Sequence, residues 1–108
     1  MANGVIVTTA FDVPGRKIAK VLGIARGNTV RSRNIGRDIA AGLRSVVGGE
    51  VKTFTEMTAQ SRDEALNRMI NDAIKMGADA IIGFRFTSST VMKMSAEILA
   101  YGTAVKLK

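Results

Sequence analysis

Ala78-Asp-Ala-Ile-Ile-Gly-Phe-Arg-Phe-Thr87, the polar break Ser88-Ser-Thr90, and Lys93-Met-Ser-Ala-Glu-Ile-Leu-Ala-Tyr-Gly-Thr-Ala-Val-Lys-Leu107 together decide the fold. Two β-rich runs separated by a short polar stretch predict a hairpin. The last run carries apolar residues on both faces. Met94, Ala96, Ile98, Ala100 and Ala104 alternate onto one side, and Leu99, Tyr101, Val105 and Leu107 onto the other. A sheet covered by helices on one side should instead alternate apolar and polar residues. The second face therefore needs a cover of its own.

The chain before this hairpin offers two helices to provide cover. Leu66, Met69, Ile70, Ala73 and Ile74 form one apolar stripe flanked by Arg62, Asp63, Arg68, Asp72 and Lys75. That spacing predicts an amphipathic helix ended by Gly77. Ser61-Arg-Asp-Glu64 fits a capping box, with Thr55 as an earlier alternative start. Asn34 to Val47 reads as the other helix, through Ile35, Ile39, Leu43, Val46 and Val47, with Gly48-Gly49 as its C-cap. Val51-Lys-Thr-Phe54 is expected to be an extended link.

Nearer the N-terminus, Val5-Ile-Val-Thr-Thr9 is a short strand stopped by the turn signal Asp12-Val-Pro-Gly15. Lys17 to Arg26 alternates as a strand, with Gly23 marking a bulge or close approach. Arg26-Gly-Asn-Thr-Val30 is expected to be a turn or loop. The fold class is thus α+β, a single domain over residues 1–108 with an antiparallel sheet and two helices. Two helices with one stripe each cover one sheet face, not both. A bare face would expose on the order of several hundred Å² of apolar surface. Sister copies of the chain are the expected cover, and folding-back of the N-terminal strands is the alternative.

Composition excludes several function classes. The chain has 108 residues, 46% of them hydrophobic, with no Cys and no His. Disulfides, thiolate metal sites, thiol chemistry and nucleophilic triads that need His are absent. No S-x-x-K dyad, phosphate loop or dinucleotide fingerprint occurs. Asp79 and Glu97 could be buried carboxylates of raised pKa. The plainer expectation is that Asp79 caps a strand start and Glu97 pairs with a base such as Arg85. No enzyme activity and no cofactor are expected. The N-terminus lacks a basic and apolar leader, and no run of about 18 apolar residues occurs, so a cytoplasmic location without membrane contact is expected.

Charge is uneven. The net charge is +7, and residues 1–53 hold nine Lys or Arg against three acids. Arg26, Arg31, Arg33, Arg37 and Arg44 surround one loop and the helix after it. Arg31, Arg33 and Arg37 with the N-terminal amides of that helix would suit a phosphate or carboxylate, and they are the candidate ligand-binding residues. Nucleic acid bound through the basic segment 16–44 is the alternative. Against it, the five aromatics, Phe11, Phe54, Phe84, Phe86 and Tyr101, lie outside that segment, so base-stacking platforms are not interleaved with the cations.

Val30-Arg-Ser-Arg-Asn-Ile-Gly-Arg-Asp-Ile-Ala-Ala-Gly-Leu-Arg44 with Gly48-Gly-Glu50, then Ala65-Leu-Asn-Arg-Met69, Gly77-Ala-Asp-Ala-Ile-Ile-Gly-Phe-Arg-Phe86 and Ala100-Tyr-Gly-Thr-Ala-Val105, in this order strongly resemble the YbjQ-like family. The resemblance covers nearly the whole chain. It implies a small dodecin-subunit-like α+β domain assembled into a ring, a homopentamer, of uncharacterised function and with a heavy-metal-binding label. The residues argue against that label. Soft metals favour thiolate, thioether or imidazole donors, and only Met92-Lys-Met94 offers a close thioether pair. Glu56, Asp63, Glu64 and Asp72 are expected on solvated helix surfaces. No metal site is expected.

Overall fold

A computed structural model describes residues 4–31, 50–92 and 95–108, with side chains at 4–30, 59–89 and 97–108. These residues form strand β1 (Ile6–Val7), strand β2 (Ile18–Arg31), helix α1 (Glu50–Met76), strand β3 (Ala80–Met92) and strand β4 (Ser95–Leu107). The strands make one sheet in the order β1-β3-β4-β2. β4 is antiparallel to both β2 and β3, as the hairpin reading requires. β1, however, runs parallel to β3, pairing Ile6 with Ala80 and Val7 with Ile81. The sheet is therefore mixed rather than wholly antiparallel. A parallel pair needs a crossover connection, and here β2 and α1 lie between the two strands in sequence.

The elements are long. α1 has 27 residues, about 40 Å at the helical rise, and β2 has 14, about 45 Å extended. They account for a molecule 54 × 27 × 20 Å across. The helix ends where Gly77 predicts. Ala78 N–H donates to the Ala73 carbonyl and Gly77 N–H to the Ile74 carbonyl, both at 3.0 Å. With Gly77 at φ 82°, this is the left-handed cap that glycine adopts without a Cβ clash.

The core lies between α1 and one sheet face. Ala65, Met69, Ile70 and Ala73 meet Ala25, Ile81, Ala100, Ala104 and Val5, all buried. Small residues on both surfaces bring helix and sheet close together. Closest is Gly27, where an added Cβ would run into the backbone at Ala65 and Met69 and lie 2.6 Å from Arg68 Cβ. Leu66 packs on the edge of this cluster, while Ile74 stays partly exposed.

Several expectations are corrected. α1 begins at Glu50, so Val51 to Phe54 is helix rather than an extended link, and neither Thr55 nor Ser61 starts it. Ser61 is instead buried inside the helix, where its carbonyl accepts from the Thr29 hydroxyl at 3.4 Å. β2 runs straight through Arg26 to Val30, which is not a loop, and β3 runs through Ser88-Ser-Thr90. The Gly23 bulge is present as a register shift between Val21 and Gly23, with Gly23 at φ 140°. At Pro14-Gly15, Arg16 N–H donates to the Val13 carbonyl at 3.0 Å and Gly15 takes φ 83°, as a type II turn demands. One helix occurs among the described residues. The other expected helix, Asn34 to Val47 with its Gly48-Gly49 cap, lies outside them.

Candidate functional site

The sheet face turned away from α1 is read from the register. Its rows are Ile24–Thr103–Ile82, Arg26–Tyr101–Arg85, Asn28–Leu99–Thr87 and Val30–Glu97–Ser89, running across β2, β4 and β3. One end is covered by the chain itself. Val13 and Ile18 pack on Ala80, Ile82, Val105 and Leu107. Val105 is fully buried, so the fold-back alternative holds at this end of the sheet. The rest is not covered among the described residues. Ile24 is 67% exposed, Val21 61%, Val30 49% and Tyr101 37%. Aliphatic residues interleaved with Tyr and Arg are the composition of an interface core rather than of a solvated surface.

Polar groups on this face are largely tied down. Asn28 Nδ2 donates to Glu97 Oε2 at 3.0 Å, so Glu97 meets Asn28 rather than the expected Arg85. Arg85 Nη1 donates to the carbonyls of Thr9 at 3.1 Å and Phe84 at 2.7 Å. Its guanidinium also lies 5.5 Å from the centre of the Phe11 ring, within cation–π range. Arg85 thus holds the N-terminal segment on the sheet. An open cleft of about 450 Å³ beside Arg26 is lined by Asn28, Asp72, Glu97 and Leu99. Two carboxylates and one guanidinium give it mixed charge, not the basic field that an anion would select.

Asp79 behaves as a strand anchor. Its Oδ2 accepts the Leu107 N–H at 2.9 Å and its Oδ1 pairs with Lys106 Nζ at 3.4 Å. The Leu107 hydrogen bond, with smaller contributions from Lys106 and Arg16, lowers its pKa below the ordinary carboxylate value. That direction removes it as a protonated acid and fits the strand-capping role.

The predicted ligand residues are not brought together by any described geometry. Arg31 closes β2, but its side chain is not among those described; Arg33 and Arg37 lie outside the described residues, as does most of the basic segment after Arg31. Met92 and Met94 side chains are likewise outside them. Among the described residues, no group of three or more His, Cys, Asp or Glu comes together. The metal fit fails on the donor set. The chain has neither Cys nor His, Asp72 accepts the Arg26 N–H and Glu97 accepts from Asn28. Among the described residues, no helix is long and apolar enough to cross a membrane.

A 27-residue helix on one side of a four-stranded mixed sheet, with the other side half bare, defines a small α+β subunit. The chain belongs to the YbjQ family described as "Putative heavy-metal-binding", whose model matches residues 5–108. A UPF0145 protein of Archaeoglobus fulgidus is 53% identical over 108 residues, covering 100% of both chains. A UPF0145 protein of Thermotoga maritima is 54% identical over 103 residues, covering 95% of this chain and 97% of the relative. The crystal structure of a DUF74-family protein of unknown function from Pediococcus pentosaceus matches with TM-score 0.64 at 17% identity, covering 97% of this chain and 99% of that one. That likeness concerns the fold alone.

Proposed function

We propose that this protein is a non-catalytic, self-assembling subunit whose bare sheet face packs against a sister copy. The exposure of Val21, Ile24, Val30 and Tyr101 on one continuous sheet surface carries this reading. Apolar area removed from water contributes roughly 25 cal/mol per Å², so burying such a face stabilises association. A ring is the expected form, with five copies by family resemblance. Binding of a small anion at the seam would draw on Arg31, Arg33 and Arg37, and the mixed-charge cleft beside Arg26 does not add to it.

The test is Ile24→Lys, which places a charge at the most exposed aliphatic of the face. Dispersal of the wild-type assembly with an unchanged far-UV spectrum is expected. An assembly of wild-type mass and stability in this variant would show that the face is not the interface.

A further inference from the structure

Sheet edges are where chains join, because an edge strand presents N–H and C=O groups that another strand can match. The two edges of this sheet are finished differently. On β2, α1 supplies partners: Asp72 accepts the Arg26 N–H at 3.1 Å and Arg68 donates to the Asn28 carbonyl at 2.6 Å. On β3, the N-terminal segment supplies them only as far as Phe84. Thr8 N–H donates to the Ile81 carbonyl at 3.0 Å, Gly83 N–H to Ala10 at 2.8 Å and Phe84 N–H to Thr8 at 3.0 Å.

β3 then continues to Met92. Arg85, Thr87 and Ser89 pair with Tyr101, Leu99 and Glu97 and turn their backbone groups toward β4. By alternation, Phe86, Ser88 and Thr90 turn theirs outward, and none of the described residues meets them. Solvent-facing edges are ordinarily blunted by Lys, Pro or a covering element. Phe86-Thr-Ser-Ser-Thr-Val-Met92 contains no charge, no Pro and no Gly, and its aromatic and β-branched residues favour a strand.

We propose that the outer edge of β3 from Phe86 to Met92 is completed by a strand from a second copy of this chain, which extends the sheet across the subunit boundary. This rests on the self-assembly reading and names where copies join. Charge selects the occupant. A chain of net +7 would draw an acidic foreign strand, yet this run has no cation to hold one. Its neutrality lets two basic copies meet without like charges opposed. The edge also continues into the bare face, since Thr87 and Ser89 lie in the rows of Leu99 and Glu97.

Ser88→Pro removes the outward N–H and spares the β3–β4 ladder, the position at which an edge strand tolerates proline. Ser88→Lys adds charge there without touching the backbone. Both are compared with wild type by light scattering over a dilution series, with circular dichroism to check the fold. Each is expected to keep the wild-type spectrum and weaken assembly by roughly tenfold or more. Wild-type assembly in either folded variant overturns edge pairing; should Ser88→Pro unfold, Ser88→Lys decides. The two claims fail separately. A monomeric wild type overturns both, whereas an oligomer dispersed by Ile24→Lys but indifferent to the Ser88 changes keeps the face and overturns the edge. Saturable binding of an extended acidic peptide by monomeric chain would give the edge to a foreign strand and also overturn the proposal.

Discussion

The backbone N–H of Arg26 donates to the Asp72 carboxylate at 3.1 Å, so a helix side chain stands where a fifth strand would otherwise pair. Arg68 does the same for the Asn28 carbonyl one pleat further on. Helix and edge strand are thereby fixed in register, and β2 is closed to edge-to-edge pairing over this stretch. Assembly is left to the bare face and to β3.

Asp72→Ala should expose that edge. The bond is solvent-accessible, so the loss is expected near the low end of about 0.5–1.5 kcal/mol. Urea unfolding measures it. The same variant should aggregate more readily at high concentration, because an unpaired edge recruits other strands. An unchanged midpoint would mean that water replaces the carboxylate at no cost.

Gly27→Ala should be far more damaging than its size suggests. The new methyl meets helix backbone at Ala65 and Met69, which cannot swing aside as a side chain can. Overpacking of this kind costs about 1–3 kcal/mol, read as a lower urea midpoint. Wild-type stability would show that α1 stands further from β2 than described.

Asp79 sets an acid limit on stability. Its native pKa is lowered by the Leu107 N–H and by Lys106, so the unfolded state takes up the proton first. The contribution is complete above the unfolded value, 3.8, and is lost as pH falls through the lower native value. Unfolding curves for wild type should therefore weaken below about pH 4, and Asp79→Asn should lack that part of the dependence. Parallel acid profiles for the two would remove Asp79 as the cause.

Soft metals should not bind stoichiometrically. Native mass spectrometry with Cu(I), Zn(II) and Cd(II) is expected to show only the unmetallated mass, because the donor set has no thiolate or imidazole. Saturating uptake at one metal per chain would restore the meaning of the family's description.

The sequence shows the features that depend on local periodicity. The stripe through Leu66, Met69, Ile70 and Ala73, the stop at Gly77, the bulge at Gly23 and the closing hairpin are all legible there. Where it misled, a distant contact decided. Arg26-Gly-Asn reads as a turn, yet Gly27 is glycine because a helix forty residues later lies against it. Ser88-Ser-Thr90 reads as a break, yet cross-strand pairing with Ile98, Glu97 and Ala96 holds it extended. Val51, Thr53 and Thr55 look extended, but β-branching costs a helix only tenths of a kcal/mol per residue. The sealed and open sheet edges have no local signature, since the bond from Arg26 to Asp72 spans 46 residues. Of the candidate site, the surplus of apolar residues on β4 was readable; that Val13 and Ile18 would cover one end of it was not.

Self-assembly through the sheet is settled by the mass in solution. Multi-angle light scattering of the wild-type chain at micromolar concentration should give a single species several times 11.5 kDa. A uniform 11.5 kDa particle would mean that Ile24, Val30 and Tyr101 stay in water, and that no sister copy covers the sheet.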